Sequence, residues 1–202
     1  MNKIGFKKIV LTASLVLAMA FTLSCSAQDE SDVVYGPSVT YEGETYKSVV
    51  IGSQTWMARN LNYNASGSRC FDDAPSNCSK YGRLYDWNTA MTACPPGWHL
   101  PSWAEWDVLV NNAGGSLYGK AYENLMAKSY GGEDKYGFAA LMGGHYSNGF
   151  NFGGRGGFWW TTEELYDRAY LCSIEIGGAI RGGGCNAMSK ANTLVSVRCV
   201  KD

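Results

Sequence analysis

The sequence predicts an α+β domain of short, twisted antiparallel strands with two main helices, loop-rich and stapled by disulfides. Three observations carry that expectation. Ser102 and Glu105 mark a helix start, six cysteines follow a leader that reads as an export signal, and from Gly131 onward the chain breaks into glycine-rich short strands.

The leader comes first. Lys3, Lys7 and Lys8 precede an uncharged apolar run from Ile9 to Leu23. That run is shorter than the roughly 20 residues a membrane-spanning helix needs. A positive start and a short apolar core read as a secretory signal. Leu23-Ser24-Cys25-Ser26 then resembles the lipobox of bacterial lipoproteins, although Thr22 stands where leucine is usual. On that reading Cys25 is lipidated and becomes the new N-terminus; the alternative is an ordinary signal peptide cut near Ala27. Each buried methylene is worth roughly 0.8 kcal/mol, so two or more acyl chains anchor stably where one does not. Ser26 is not the aspartate that favours retention at the inner membrane. With the following Gln28, Asp29, Glu30 and Asp32 it points to the outer membrane and to surface exposure, with a periplasmic or secreted protein as the alternative.

The expected organisation is residues 1–25 as lipoprotein signal, 26–38 as an acidic flexible tether ending in Gly36-Pro37, and 39–202 as one domain. The leader holds three of the 17 basic residues and none of the 18 acidic ones, so the remainder is net acidic. No basic stripe exists, which excludes nucleic acid as a partner, because its binding leans on phosphate neutralisation. No second apolar run is long enough to span a membrane.

Cys70, Cys78, Cys94, Cys172, Cys185 and Cys199 remain once Cys25 is set aside. An even count in an exported chain reads as a disulfide framework, whose connectivity the count alone leaves open. A zinc site is the rival; it lacks C-x-x-C spacing and has only His99 and His145 to help.

Along the domain, Glu42-Gly43-Glu44 and Gly52-Ser53 are turn signals bracketing Thr45 to Ile51, and Gln54 to Ala58 carries Trp56. These predict a hairpin. Ser66 to Lys80 reads as a polar loop in which Cys70 and Cys78 lie near enough to bridge each other. Asp72, Asp73 and Asn77 are hard-oxygen ligands of the kind calcium takes, but the loop lacks the spaced ligand ladder and glycine of a calcium loop. A solvated turn is expected, with no metal and no cofactor. Tyr81 to Tyr85 reads as a strand, with Asp86 or Asn88 placed to cap a short helix through Ala93.

Pro101 biases Leu100 away from helix. Ser102 is the expected N-cap, and Glu105 completes a capping box. Trp103, Trp106, Leu109, Val110 and Ala113 share one helical face, so both tryptophans are expected in the core. Asn111 to Gly115 ends that helix, and a shorter one is predicted over Lys120 to Lys128. Phe158 to Thr162, Ala169 to Ile176 and Leu194 to Val200 then read as strands. Cys172 and Cys185 are placed to tie the middle hairpin, and Cys199 to pin the last strand to something distant.

YKSVVIGSQTWMARNLNY, the Cys70–Cys78 loop, YGRLYDWNTAM, CPPGWHLPSWAEW, YGFAALMGG, FWWTTEE and SVRCVKD occur in that order. This set resembles the Fibrobacter succinogenes major paralogous domain, abundant in exported and lipid-anchored bacterial proteins and without an established activity. HLPSWAEW and VRCV are also similar to elements of formylglycine-generating-enzyme-like domains, which share the C-type lectin-like fold. The resemblance implies a helix after the first cysteine of that fold, fastened to the last strand by Cys94–Cys199. It also implies Cys172–Cys185 across the late hairpin and Cys70–Cys78 locally. The calcium triplets of sugar-binding C-type lectins are missing, and the reactive cysteines of the formylglycine enzymes would here sit in bridges.

Three functions follow as expectations. The first is a non-catalytic binding or scaffold module of the cell envelope, with polysaccharide or another surface protein as partner. Lectin-like folds present a long-loop face, here Gly143 to Gly157, with His145, Tyr146, Asn148, Phe150, Asn151, Phe152 and Arg155 as candidate ligand contacts. Aromatic faces stack on sugar rings while amides and hydroxyls take the polar rims. The second is a carbohydrate-active enzyme. Glycosidases need two carboxylates at a defined separation, and Glu163 and Glu164, adjacent on a strand, point to opposite faces. His99 reads as structural and His145 as exposed without an acid partner, so no catalytic residue is assigned. The third is a purely structural envelope protein.

Overall fold

The computed structural model describes residues 33–116, 119–176 and 182–202. The signal segment, Cys25 and residues 26–32 of the expected tether lie outside the described residues.

β1 (Tyr35–Tyr41) and β2 (Glu44–Ile51) form a hairpin across Glu42-Gly43, both at positive φ, and β2 continues across Gly52-Ser53 into β3 (Gln54–Met57). Two positive-φ residues match the twist of paired strands, which is why glycine recurs in such turns. β1 starts inside the stretch read as tether. Gly36-Pro37 looks like a chain break, but it sits at a bulge between Gly36 and Val39 on an edge strand. There proline's missing donor costs no ladder bond, and the Pro37 carbonyl accepts from Ser48 Oγ at 2.8 Å.

The Cys70–Cys78 loop contains a 3₁₀ turn, Phe71–Asp73, and the short α1 (Pro75–Tyr81). Proline at the first helical position is preorganised for that start, a signal masked by the loop's polar composition. Tyr81 therefore belongs to a helix, and only Leu84–Tyr85 (β4) is strand. α2 (Trp87–Ala93) is capped by Asp86, whose Oδ1 accepts from Thr89 N–H at 3.0 Å. After β5 (Trp98–His99) comes α3 (Trp103–Ala113) with the full Ser102–Glu105 capping box. Trp106, Leu109, Val110 and Ala113 are buried, whereas Trp103 is 36 % exposed. Trp103 is the first helical residue, and its ring lies 5.1 Å from that of Tyr170. α4 (Lys120–Leu125) is shorter than the predicted Lys120–Lys128.

The rest is strand: β6 (His145–Ser147), β7 (Phe150–Asn151), β8 (Gly156–Leu165), β9 (Arg168–Glu175), β10 (Gly182–Ser189), β11 (Thr193–Ser196) and β12 (Val200–Lys201). One sheet runs β1-β2-β3-β12-β5, entirely antiparallel. The other runs β10-β9-β8-β11-β6-β7 with β4 on β11, and its single parallel step is β8 to β11. Leu194 to Val200 is thus split. Val197, Arg198 and Cys199 carry the chain from the second sheet to the first.

Each predicted covalent tie is present. Cys70 bonds Cys78, Cys94 bonds Cys199, and Cys172 bonds Cys185, its direct cross-strand partner. The Cys94–Cys199 bridge closes a separation of 105 residues. Chain-entropy reasoning assigns such a loop about 4–5 kcal/mol, less any strain.

Two apolar clusters fill the interior. In one, Trp106 meets Trp56 at 5.2 Å and Trp159 at 5.7 Å between ring centroids, with Phe138 edge-on. Truncating such a ring costs roughly 3–5 kcal/mol. In the other, Trp87, Trp98 and Trp160 pack with Tyr46, Tyr85 and Val197. Trp160 Nε1 donates to the Tyr85 carbonyl and Trp87 Nε1 to that of Thr161.

Candidate functional site

The β6–β7 hairpin and the Cys70–Cys78 loop face each other across an open groove of about 500 Å³. Phe150, Phe152, Gly153 and Gly154 line one wall; Phe71, Asp72, Asn77 and Tyr81 line the other. The loop holds its shape because the disulfide and α1 fix its ends. Within it, Asp72 and Asp73 sit at φ 55° and 52°, a region non-glycine residues seldom adopt. Phe71 reaches across to Phe150 at 5.2 Å. It fits only because Gly144 and Gly153 lie beneath it: a Cβ on Gly153 would stand 2.5 Å from Phe71 Cζ, and one on Gly144 would collide with the same ring.

Arg69 braces the two walls. Its guanidinium stacks over Tyr146 at 4.6 Å and Phe150 at 4.8 Å, while Nε and Nη2 donate to the two Asp73 oxygens at 2.9 and 2.5 Å. The Arg69 hydrogen bonds hold the Asp73 carboxyl below its usual range. Asn77 Nδ2 donates to the Phe71 carbonyl at 2.9 Å. Two of the three loop residues weighed for calcium thus serve the loop itself. Burial raises the Tyr81 hydroxyl, but Lys80 and the bond donated by Tyr130 outweigh it and leave the group below its ordinary value.

The candidate ligand contacts divide. Phe150 and Phe152 line the groove, Phe152 with 41 % exposure at φ 60°. Tyr146 is half-buried under Arg69, and Phe150 lies 5.2 Å from it. Asn148 is exposed at the hairpin tip, and Arg155 is exposed with its guanidinium 5.7 Å from the Phe152 ring centre. Asn151 uses its amide inside the hairpin, donating to the carbonyls of Gly149 at 2.8 Å and Ser147 at 3.3 Å. His145 departs from expectation. It is only 6 % exposed, wedged between Phe152 at 5.5 Å and Phe158 at 4.6 Å. On β6 the His145 ring lies on the face that packs against Phe158 rather than the one facing solvent.

Arg69, Phe71, Asp72, Asn77 and Tyr81 were not among the expected contacts. The aromatic and carboxylates following Cys70 were the available signal. Their pairing with a hairpin more than 70 residues later is non-local, so no spacing rule reveals it.

The remaining titratable candidates are structurally occupied. His99 Nδ1 lies 2.6 Å from Asp202 Oδ1, and Nε2 lies 2.7 Å from Glu105 Oε1. Both Glu163 oxygens accept from Trp103 N–H, at 3.0 and 2.9 Å, at the start of α3, and Glu164 pairs with Lys190 at 2.5 Å.

These features define a class: a disulfide-clamped α+β domain carrying an aromatic groove between a late hairpin and a cysteine-closed loop. The family model of the Fibrobacter succinogenes major domain matches residues 49–201, and the chain belongs to that family. No curated protein matches the chain, and no solved structure does.

Proposed function

We propose that this is an exported envelope protein, lipid-anchored through Cys25 to the outer membrane. Its domain has a C-type lectin-like arrangement and binds polysaccharide without catalysis. The observation that carries the binding reading is the groove. Phe71, Phe150 and Phe152 offer ring faces to the apolar side of a sugar, with Asp72 and Asn77 at the rim for its hydroxyls.

The lectin-like reading draws on connectivity. The first hairpin and the last strand share one sheet, and α3, which follows Cys94, is tied by Cys94–Cys199 to the segment leading into β12. Three disulfides suit an oxidising compartment. Support for a non-catalytic role comes from His99, whose two nitrogens both face carboxylates, and from Glu163, engaged at a helix start.

A polysaccharide pull-down and glycan-array screen, with and without calcium, tests the reading. Retention on at least one glycan class without a calcium requirement is expected, weakened by Tyr146→Ala and Phe150→Ala. Absence of retention on every glycan would leave a structural envelope protein. Cys25→Ser is expected to release the protein from the membrane fraction.

A further inference from the structure

We propose that the groove is acid-labile, with His145 as the positioning residue: its uncharged ring holds Phe152 in the groove wall, and protonation releases it. This deepens the binding reading and rests on the groove being the ligand site.

The geometry is specific. The imidazole lies nearly parallel to Phe152, with 24° between planes, and meets Phe158 edge to face at 73°. Its Nδ1 is enclosed and has no hydrogen-bond partner. A buried donor without an acceptor is costly, and a buried charge without a partner costs more. An imidazolium places both on Nδ1, because both ring nitrogens then carry protons.

Among the described residues, none that packs on the ring offers Nδ1 an acceptor or a counter-charge. β8 contributes Phe158, and the segment after β7 contributes Phe152 and, beyond its ring, the cationic Arg155. Across the groove Asp73 is engaged by Arg69, and Asp72 sits on the far wall. Burial alone moves His145 below the ordinary histidine range.

Phe152 is what the ring supports. It holds a positive φ that side chains disfavour, so packing must keep it there. The surrounding segment is latched by short backbone bonds, Gly144 N–H to the Gly156 carbonyl at 2.7 Å and Gly154 N–H to that of Met142 at 2.8 Å. Acid favours whatever conformation hydrates His145. The proposed opening lifts the 144–155 segment off β8, and Phe152 leaves the wall with it.

The test follows the free protein by NMR and amide exchange from about pH 8 to about pH 4, and compares His145→Phe, which keeps an aromatic wedge but cannot titrate. Exchange at Gly144 and Gly154, corrected for intrinsic pH dependence, should rise about tenfold or more as His145 protonates, in step with the Phe152 ring resonances. In His145→Phe the rise should vanish. Should that variant not fold, His145→Met replaces it, with the same expectation. A variant that opens at the same pH, or a wild-type segment that stays closed while His145 titrates, overturns the proposal. Retention on the glycan identified above, measured across the same pH range, should fall at least about tenfold with the same midpoint. If no glycan is retained at any pH, the binding reading fails while the exchange result still decides whether protonation of His145 releases Phe152.

Discussion

The Asn60 side-chain oxygen accepts from Arg198 Nε and Nη2 at 2.9 and 2.8 Å, and from Trp159 Nε1 at 2.8 Å. Arg198 is fully buried where the chain passes from β11 to β12, and its Nη1 also donates to the carbonyls of Phe138 and Met57. Burial pulls the guanidinium below its usual range, yet it stays charged at neutral pH. A single amide thus answers one buried cation and one buried indole. Asn60 Nδ2 extends the network to the Tyr81 carbonyl, beside the groove.

Asn60→Ala should therefore cost about 3 kcal/mol or more, because it strands a buried charge and an indole N–H together. Arg198→Met should cost less, since Asn60 keeps Trp159 and the charge itself is gone. Urea unfolding of the two variants measures the order. The reverse order would mean that the cation, rather than its acceptor, governs this junction.

The His99 clamp predicts a stability window. Burial lowers the His99 imidazole, but hydrogen bonds to Asp202 and Glu105 outweigh it and raise the group above its ordinary value. For Glu105, burial raises the carboxyl, and bonds from Ser102 and His99 outweigh that and lower it. The His99 contribution is complete below the ordinary histidine pKa and is lost as pH climbs through the raised one. The Glu105 contribution is complete above the ordinary carboxylate pKa and is lost as pH falls through the lowered one. The clamp is strongest between these limits. With 40 % of the His99 side chain exposed, its worth is at most about 1 kcal/mol. Thermal melts of His99→Gln across pH should show a flatter profile than the wild type.

Cys94→Ala with Cys199→Ala should lose about 4 kcal/mol, the loop-closure contribution of a separation of 105 residues. Removing the Cys70–Cys78 bridge, which closes a separation of only 8, should cost less stability. It should nevertheless disorder the groove wall bearing Phe71. Calorimetry separates the first effect from the second, which ring resonances of Phe71 report.

Gly153→Ala tests the closeness of the two walls. The added methyl meets the Phe71 ring, so the loop must shift or the hairpin must yield. Loss of the Phe71–Phe150 contact, read from ring-current shifts, is the expected result, with a stability cost of about 1–3 kcal/mol.

Much of the architecture was legible in the residues. Ser102 and Glu105 announce α3 because capping chemistry is local, and the glycine turns at Gly43 and Gly52 announce the first sheet for the same reason. The cysteine pairs came through resemblance, since spacing alone leaves their partners open. Gly36-Pro37 reads as a chain break, but it permits a strand at an edge bulge, an outcome set by a partner strand and not by the dipeptide. Pro75 starts a helix inside a stretch whose polar composition reads as loop. The hairpin half of the groove was visible in Phe150 and Phe152. Phe71 was not, because it joins the site only through tertiary packing over Gly144 and Gly153. A glycine-rich flank resembles a surface loop and makes His145 read as exposed, whereas its ring packs between Phe152 and Phe158.

Affinity electrophoresis of Phe71→Ala and Phe150→Ala beside the wild type, in gels containing the retained polysaccharide, tests the central claim most directly. The account predicts that each substitution, made on opposite walls, weakens retention about tenfold or more, near 1.4 kcal/mol, while the protein still melts cooperatively. Full retention by both folded variants would contradict it.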